Sequence, residues 1–388
     1  MLNPSLIESL SELPAPVLTI YLDTNLANAA NRRLEPAYLT SLESQAKVTE
    51  ESLYPEKREA FREQVQRAEG YLRAHPPRSK AVVIFSGPGG WEFVPLEADV
   101  EDEVHWGTPD LAQLLWLLDE HKPYGIVVVG RKRTLFFLYS LGEMLELEDK
   151  EFILEPSKEK EMGPPSRAFG VRVSRGTNRD VYEHHRDAEY ARYYRQIAKN
   201  IGHWCGVERL QSLFLLALPE VLSAIQKEIP ETLRERIVPI EEDLGWVSRS
   251  ELHERIEPIV LKHQGQQQMA LVDLMLGDQR GFVLGIDETL IRLQRGTIRN
   301  IVAVKGLDAS LKRCGECLWV NRTADPVCPA CGRERHTVNL RGILPELVRR
   351  HKASLEVVSG EAARKLRGVG GIGAWLREFE QKEYSASA

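Results

Sequence analysis

Gly281 to Val304 reads Gly-Phe-Val-Leu-Gly-Ile-Asp-Glu-Thr-Leu-Ile-Arg-Leu-Gln-Arg-Gly-Thr-Ile-Arg-Asn-Ile-Val-Ala-Val, and its apolar spacing changes character twice. Gly281 to Gly285 is a short apolar run bounded by glycines, the pattern of a buried strand. Glu288 to Arg295 spaces its apolar residues helically, and Asn300 to Val304 returns to a β-branched run. Strand, helix and strand in succession predict a layered α/β unit. The alternation continues outward, with a helix reaching Leu276 on one side. On the other side come a helix over Leu344 to His351, a strand over Ser354 to Val358 and a helix over Glu361 to Arg367.

Between these elements lies Cys314-x-x-Cys317, ten residues, then Cys328-x-x-Cys331, with Gly315, Pro329 and Gly332 in or beside the two turns. Two Cys-x-x-Cys turns can aim four thiolates at one ion, which closes a tetrahedral shell and leaves no open position for water. The spacing favours structural zinc (Zn2+) in a ribbon over 312–335. An iron–sulfur cluster accepts the same four ligands. His336 reads as a surface residue beside a shell that is already full, and Cys205, next to Trp204, as packing. So short an insert cannot bury a core of its own, so the metal supplies its folding energy. Arg313, Arg322, Arg333 and Arg335 make it basic, which suits either RNA contact or a solvated face.

At 388 residues the chain exceeds one ordinary core. It reads as a three-domain α/β chain of mixed-sheet layers: an N-terminal α/β domain over 1–118, a middle domain over 119–265, and a C-terminal α/β domain over 266–388 with the inserted ribbon. In the first, Val17 to Leu22 is a buried strand, 38–72 is helical with a break at Pro55, and Ala81 to Phe85 and Trp91 to Val94 form a hairpin around Ser86-Gly87-Pro88-Gly89-Gly90. In the middle, Tyr124 to Gly130 and Arg133 to Tyr139 are strands. Residues 155–180 lose all periodicity while collecting Lys158, Lys160, Arg167, Arg172, Arg175 and Arg179, the pattern of a long basic loop. A helix then begins at Asp180, with Glu183 completing a capping box, and buries a stripe of Val181, His184, Ala188, Ala191, Tyr194, Ala198 and Ile201. His263-Gln264-Gly265-Gln266-Gln267-Gln268 is polar enough for an interdomain linker or the end of a helix.

Hydrophobic residues at 43% and charged residues at 28% exclude a disordered chain, and no apolar run approaches the roughly 20 residues that span a bilayer. The start, MLNPSLIESLSELPAP, lacks the basic and apolar regions of an export signal. A net charge of −6 excludes a wholly basic surface, so any nucleic-acid contact is local. With four of five cysteines inside eighteen residues, metal chemistry in a reducing, cytoplasmic setting is expected rather than a disulfide framework. Single carboxylates such as Asp23 and Asp119 have no partner at a catalytic spacing.

The stretch Gly281 to Leu290, then Leu293-Gln294-Arg295-Gly296-Thr297-Ile298, an inserted cysteine unit, and the closing Gly370-Gly371-Ile372-Gly373-Ala374-Trp375-Leu376-Arg377 together resemble the last domain of archaeal and eukaryotic class-1 release factors and Pelota. The likeness covers about 270–380. The middle domain is similar in element order, and the N-terminal segment looks like that of the bacterial branch, which includes relatives of the ribosome hibernation factor Balon. In true release factors the loop before the long helix carries Gly-Gly-Gln. There two glycines admit the ester closely and the Gln helps place water near a developing oxyanion. The corresponding stretch here is Ser174-Arg175-Gly176-Thr177-Asn178-Arg179-Asp180, and Gly265-Gln266 sits instead at the domain junction.

The resemblance therefore implies a factor with no catalytic residues. It would bind ribosomal RNA in the aminoacyl-tRNA site through Arg167, Arg172, Arg175, Gly176, Thr177, Asn178 and Arg179, and act in ribosome hibernation or rescue. It also implies a translational GTPase partner, elongation factor Tu being the bacterial candidate. Neither a membrane nor DNA is expected. Two other readings stand beside it: a peptidyl-tRNA hydrolase using the divergent loop, and a zinc-ribbon RNA-binding adaptor.

Overall fold

The computed structural model describes residues 2–130, 133–147, 152–153, 175–207, 210–242, 244, 247–277 and 281–377, with backbone alone at 152–153 and 175–187. It is a mixed α/β fold with several sheets, divided into two compact units. One is discontinuous, Met1–His121 with Leu261–Ala388, and the other is Lys122–Val260.

The discontinuous unit begins with α1 (Pro4–Ser11) and β1 (Val17–Asp23), followed by α2 (Ala37–Ser52) and α3 (Pro55–Ala74). Proline at the first helical position explains the break at 55, because its missing N–H costs nothing there. Next come β2 (Ala81–Gly87), β3 (Gly90–Leu96), β4 (Glu103–Gly107) and α4 (Ala112–Glu120). The sheet runs β3-β2-β1-β4, entirely antiparallel, and its β2–β3 turn closes with Gly87 opposite Gly90. Leu18, Ile20 and Leu22 of β1 share a buried cluster with Leu39, Leu42, Phe61 and Leu72 of the helices, as period 2 meeting period 3.6 requires. The strand β4 carries no apolar run and was not expected from the sequence.

The middle unit holds β5 (Tyr124–Val129), β6 (Arg133–Ser140), β7 (Glu143–Glu146), β8 (Phe152–Ile153), α5 (Arg175–Val207), β9 (Leu213–Leu216), α6 (Pro219–Glu228), α7 (Glu231–Arg234) and β10 (Ile237–Ile240). Its sheet runs β10-β9-β5-β6-β7, with β8 on β6. The pairs β10–β9 and β9–β5 are parallel, and β5–β6 and β6–β7 antiparallel. Alternate residues of β5 divide between two cores. Val127 and Val129 meet Ile197, Ile201 and Trp204 of α5 on one face, and Ile126 and Val128 meet Phe214, Leu252 and Ile256 on the other. Gly125 lies so close under Trp204 that an added Cβ would fall 2.9 Å from the indole.

Three sequence expectations change here. The long helix starts at Arg175 rather than Asp180: no proline interrupts 175–180, and a capping preference is too weak to stop a helix already propagating. Its buried stripe is Tyr193, Ile197, Ala198, Ile201, Trp204 and Cys205, while Ala188 and Ala191 are exposed. Val181 and His184 lie outside the described side chains. The polar run 263–268 is not a linker but the interior of α8 (Arg249–Gly277), since glutamines are good helix formers and nothing there breaks the hydrogen-bond ladder.

The remaining elements are β11 (Phe282–Leu284), α9 (Ile286–Gln294), β12 (Ile298–Val304), β13 (Ser310–Cys314), β14 (Val320–Asn321), β15 (Arg335–Asn339), α10 (Leu340–Arg350), β16 (Ser354–Val358), α11 (Gly360–Arg367) and β17 (Ile372–Leu376). One sheet runs β11-β17-β12-β16, and β14-β13-β15 is a separate small sheet. The first and last segments of the chain join here. Trp116 of α4 is buried in the same cluster as Val304, Leu344 and Val357, and its indole N–H donates to the Arg341 carbonyl at 2.8 Å. Ion pairs Arg349–Asp119 at 3.0 Å, Lys305–Glu120 at 2.8 Å and Arg341–Glu101 lie along the same junction. Among the described residues no helix is long and apolar enough to cross a membrane.

Candidate functional site

The ribbon comprises β13, β14 and β15 with two turns between them. Each turn repeats one hydrogen-bonding pattern: the Cys314 N–H donates to the Trp319 carbonyl at 3.0 Å, and the Cys328 N–H to the Arg333 carbonyl at 2.8 Å. In both, the residue after the second cysteine has a positive φ, 62° at Leu318 and 73° at Gly332. Glycine adopts that conformation freely and leucine at a cost, so the Leu318 turn is the strained one.

The four Sγ atoms lie within 4.8 Å of one another, with Cys314 and Cys331 at 3.4 Å and Cys317 and Cys328 at 3.5 Å. Tetrahedral zinc with Zn–S bonds of about 2.3 Å places its sulfurs about 3.8 Å apart, so this donor set fits such an ion. Cys314 and Cys328 are buried, and Cys317 and Cys331 are exposed. Burial works against the Cys314 thiolate, but the backbone N–H groups of Cys317 and Glu316 and the neighbouring thiols outweigh it and bring the thiol down to about 6. Cys328 is lowered in the same way. At Cys317 the Trp319 N–H favours the anion, yet burial and three adjacent sulfurs push the thiol up to about 12. A first thiolate is thus stabilised by the fold and a further one opposed by its neighbours. That is the charge problem a divalent ion resolves. The four cysteines can hold a metal ion. His336 is exposed on β15 and stands outside the cluster.

Three of the ribbon's four arginines are committed within the chain. Arg335 is 8% exposed and donates to the Lys312 carbonyl at 2.8 Å, to the Asp325 carbonyl and Thr323 Oγ1 at 3.1 Å, and to Asn321 Oδ1. It serves as a polar core. Arg313 pairs with Glu346 at 3.6 Å and Arg322 with Asp287 at 3.3 Å. Arg333 is exposed and has no ion pair among the described residues. Sequence reasoning treated the four alike, and nothing in residue type separates Arg335 from Arg333. Reasoning from sequence also missed Gln294. Its amide donates to the Val320 carbonyl at 2.7 Å and accepts from the Val320 N–H at 2.6 Å, fastening the ribbon to α9.

Of the RNA-contact candidates, Arg167 and Arg172 lie outside the described residues. Arg175, Gly176, Thr177, Asn178 and Arg179 form the first turns of α5 rather than a loop, and their side chains are not among those described. No Gly-Gly-Gln occurs in the sequence. Gly265 and Gln266 are exposed on α8, and glutamines flanking them meet structural partners: Gln264 donates to the Glu120 carbonyl at 3.1 Å. Gln268 donates to the Val357 carbonyl at 3.2 Å and accepts from the Ser359 N–H at 3.1 Å.

Residues 109–259 match the model of bacterial archaeo-eukaryotic release factor family 10. Among solved structures, an archaeal translation termination factor is similar at 14% identity over 96% of both chains, with a TM-score of 0.23. The Pelota of Archaeoglobus fulgidus is similar at 12% identity over 76% of this chain and 79% of that one, with a TM-score of 0.30. A ribosome-bound archaeal Pelota is similar at 14% identity over 76% and 77%, with a TM-score of 0.41. No curated protein matches the chain.

Proposed function

We propose, for a chain whose residues 109–259 match bacterial archaeo-eukaryotic release factor family 10, a noncatalytic ribosome-binding translation factor that occupies the aminoacyl-tRNA site in hibernation or rescue. The observation that carries this reading is the family match in a chain without the family's hydrolytic tripeptide. Its Gly265-Gln266 pair lies in the interior of α8 rather than before the long helix α5.

In this reading the segments 1–118, 119–265 and 266–388 act as three parts of one factor. The basic residues Arg167, Arg172, Arg175 and Arg179, with Gly176, Thr177 and Asn178, supply the ribosomal RNA contacts. Zinc is the ion of the cysteine centre, where Cys314, Cys317, Cys328 and Cys331 hold it and it supplies folding energy alone. Elongation factor Tu is the candidate partner and the cytoplasm the place of action.

Cosedimentation with ribosomes from stressed or starved cells tests the reading. Association that falls when Arg175 and Arg179 are replaced by alanine supports it, and a protein that stays in the supernatant under every condition ends it. A release assay on ribosomes carrying peptidyl-tRNA tests the noncatalytic part, for which no hydrolysis above background is expected.

A further inference from the structure

Beyond the ribosome reading, we infer that the face formed by α3 and the edge strand β3 is a stacking platform for single-stranded RNA. The guanidinium of Arg67 lies 5.0 Å over the Trp91 ring, Trp91 is 5.0 Å from Tyr71, and Tyr71 stacks on His75 at 4.6 Å with 26° between their planes. Phe93 joins at 5.3 Å from Tyr71. The series runs guanidinium, indole, phenol, imidazole along one surface.

Local sequence makes the platform. Trp91 and Phe93 are two apart on β3 and share a sheet face, while Arg67, Tyr71 and His75 recur every four residues on α3 and its end. A core would bury such rings. Here Tyr71, Trp91 and Phe93 are only partly covered, and Arg67 and His75 are exposed. Among the described residues β3 is the outermost strand of its sheet, and Trp91 and Phe93 are partly buried where they pack against the core between sheet and helices.

Charge selects the occupant. Residues 63–80 contain Arg67, Arg73, Arg78 and Lys80 against Glu63 and Glu69, in a chain of net charge −6. Arg73 is already matched by Glu35 at 2.8 Å, Glu69 at 2.9 Å and Glu43 at 3.6 Å, which leaves Arg67 and Arg78, neither of which forms an ion pair among the described residues. Glu92, the only acid of β3, alternates to the opposite sheet face. An apolar peptide would leave those cations unanswered. A single strand offers both a π-face for each ring and a phosphate for each cation, and needs no particular base order.

The test uses the full-length protein with a fluorescent single-stranded uridine 12-mer and the same sequence as a duplex, followed by anisotropy at several salt concentrations. Expected are preference for the single strand, about ten-fold weaker binding in Trp91→Leu, which keeps an apolar side chain but loses the ring, and a shallower salt dependence in Arg67→Ala. Thermal melting of each variant checks the fold; Arg67→Ala, at an exposed position, carries the test if Trp91→Leu melts early. Equal affinity for duplex and single strand, or affinity unchanged in both variants, overturns the platform. The outcome is separable from ribosome cosedimentation: loss of oligonucleotide binding with ribosome association intact supports the platform as a distinct site, and failure of cosedimentation leaves this measurement unaffected.

Discussion

The ribbon at 310–339 and the middle sheet solve the same problem by opposite means. In the ribbon the buried residues are Leu311, Cys314, Val320, Cys328 and Arg335: two apolar side chains, two thiols of the cysteine cluster and one guanidinium. In the middle sheet, β5 alone buries all six of its residues between two apolar clusters. The ribbon therefore depends on a few specific, polar partners, whereas the sheet depends on many interchangeable apolar contacts. Damage to one should be abrupt and local, and damage to the other graded and cooperative.

The largest effect tests the ribbon. Cys328→Ser should take bound zinc, measured by elemental analysis, from one ion per chain to none and abolish amide protection across 310–339, since zinc contributes on the order of 10 kcal/mol in small metal-folded units. Retained metal would break the contrast. Next is Phe136→Ala in the middle sheet, where loss of a ring stacked edge-on to Trp204 at 5.4 Å should cost about 3–5 kcal/mol in denaturant unfolding. Metal content should not change.

Arg335→Met comes third. It deprives the Lys312 and Asp325 carbonyls of their donor and should cost about 1–3 kcal/mol, read as faster zinc loss to a chelator. Smallest is a pH effect on the unit that contains the ribbon. Burial lowers His121 below the ordinary imidazole value, and Glu120 at 3.8 Å offsets this only in part. The unfolded chain then binds the proton more readily. The contribution is thus fully present above about pH 6.5 and is lost as pH falls through the folded value. Melting between pH 7.5 and 5 should show a smaller acid loss in His121→Gln than in the parent.

Legibility in the sequence followed the same division. The ribbon was readable because metal geometry fixes ligand spacing, and four cysteines announce it. Strand-forming runs such as Val17 to Leu22 and Tyr124 to Gly130 were readable because burial on both faces demands unbroken apolar residues. Features set by a distant partner were not. Asp180 carries a good capping signal, but the helix extends back to Arg175, and Gln264 and Gln268 look like linker until the Glu120 and Val357 carbonyls are seen to receive them. Arg335 and Arg333 differ only in where the Asn321 turn places carbonyls. For the candidate site, the cysteine cluster was legible and the residues that fasten it were not.

The joining of residues 1–121 with 261–388 in one unit has a consequence in time. During synthesis the middle unit has all its strands once Ile240 has emerged and its last helical contacts soon after. The N-terminal segment, already made, still exposes Trp116 of α4, whose burial partners Val304, Leu344 and Val357 are added only after the middle unit. Domains that are contiguous can finish in order as they appear, and this one cannot. Residues 122–260 can therefore complete their unit before residues 1–121, which wait, partly uncovered, for residues 261–377.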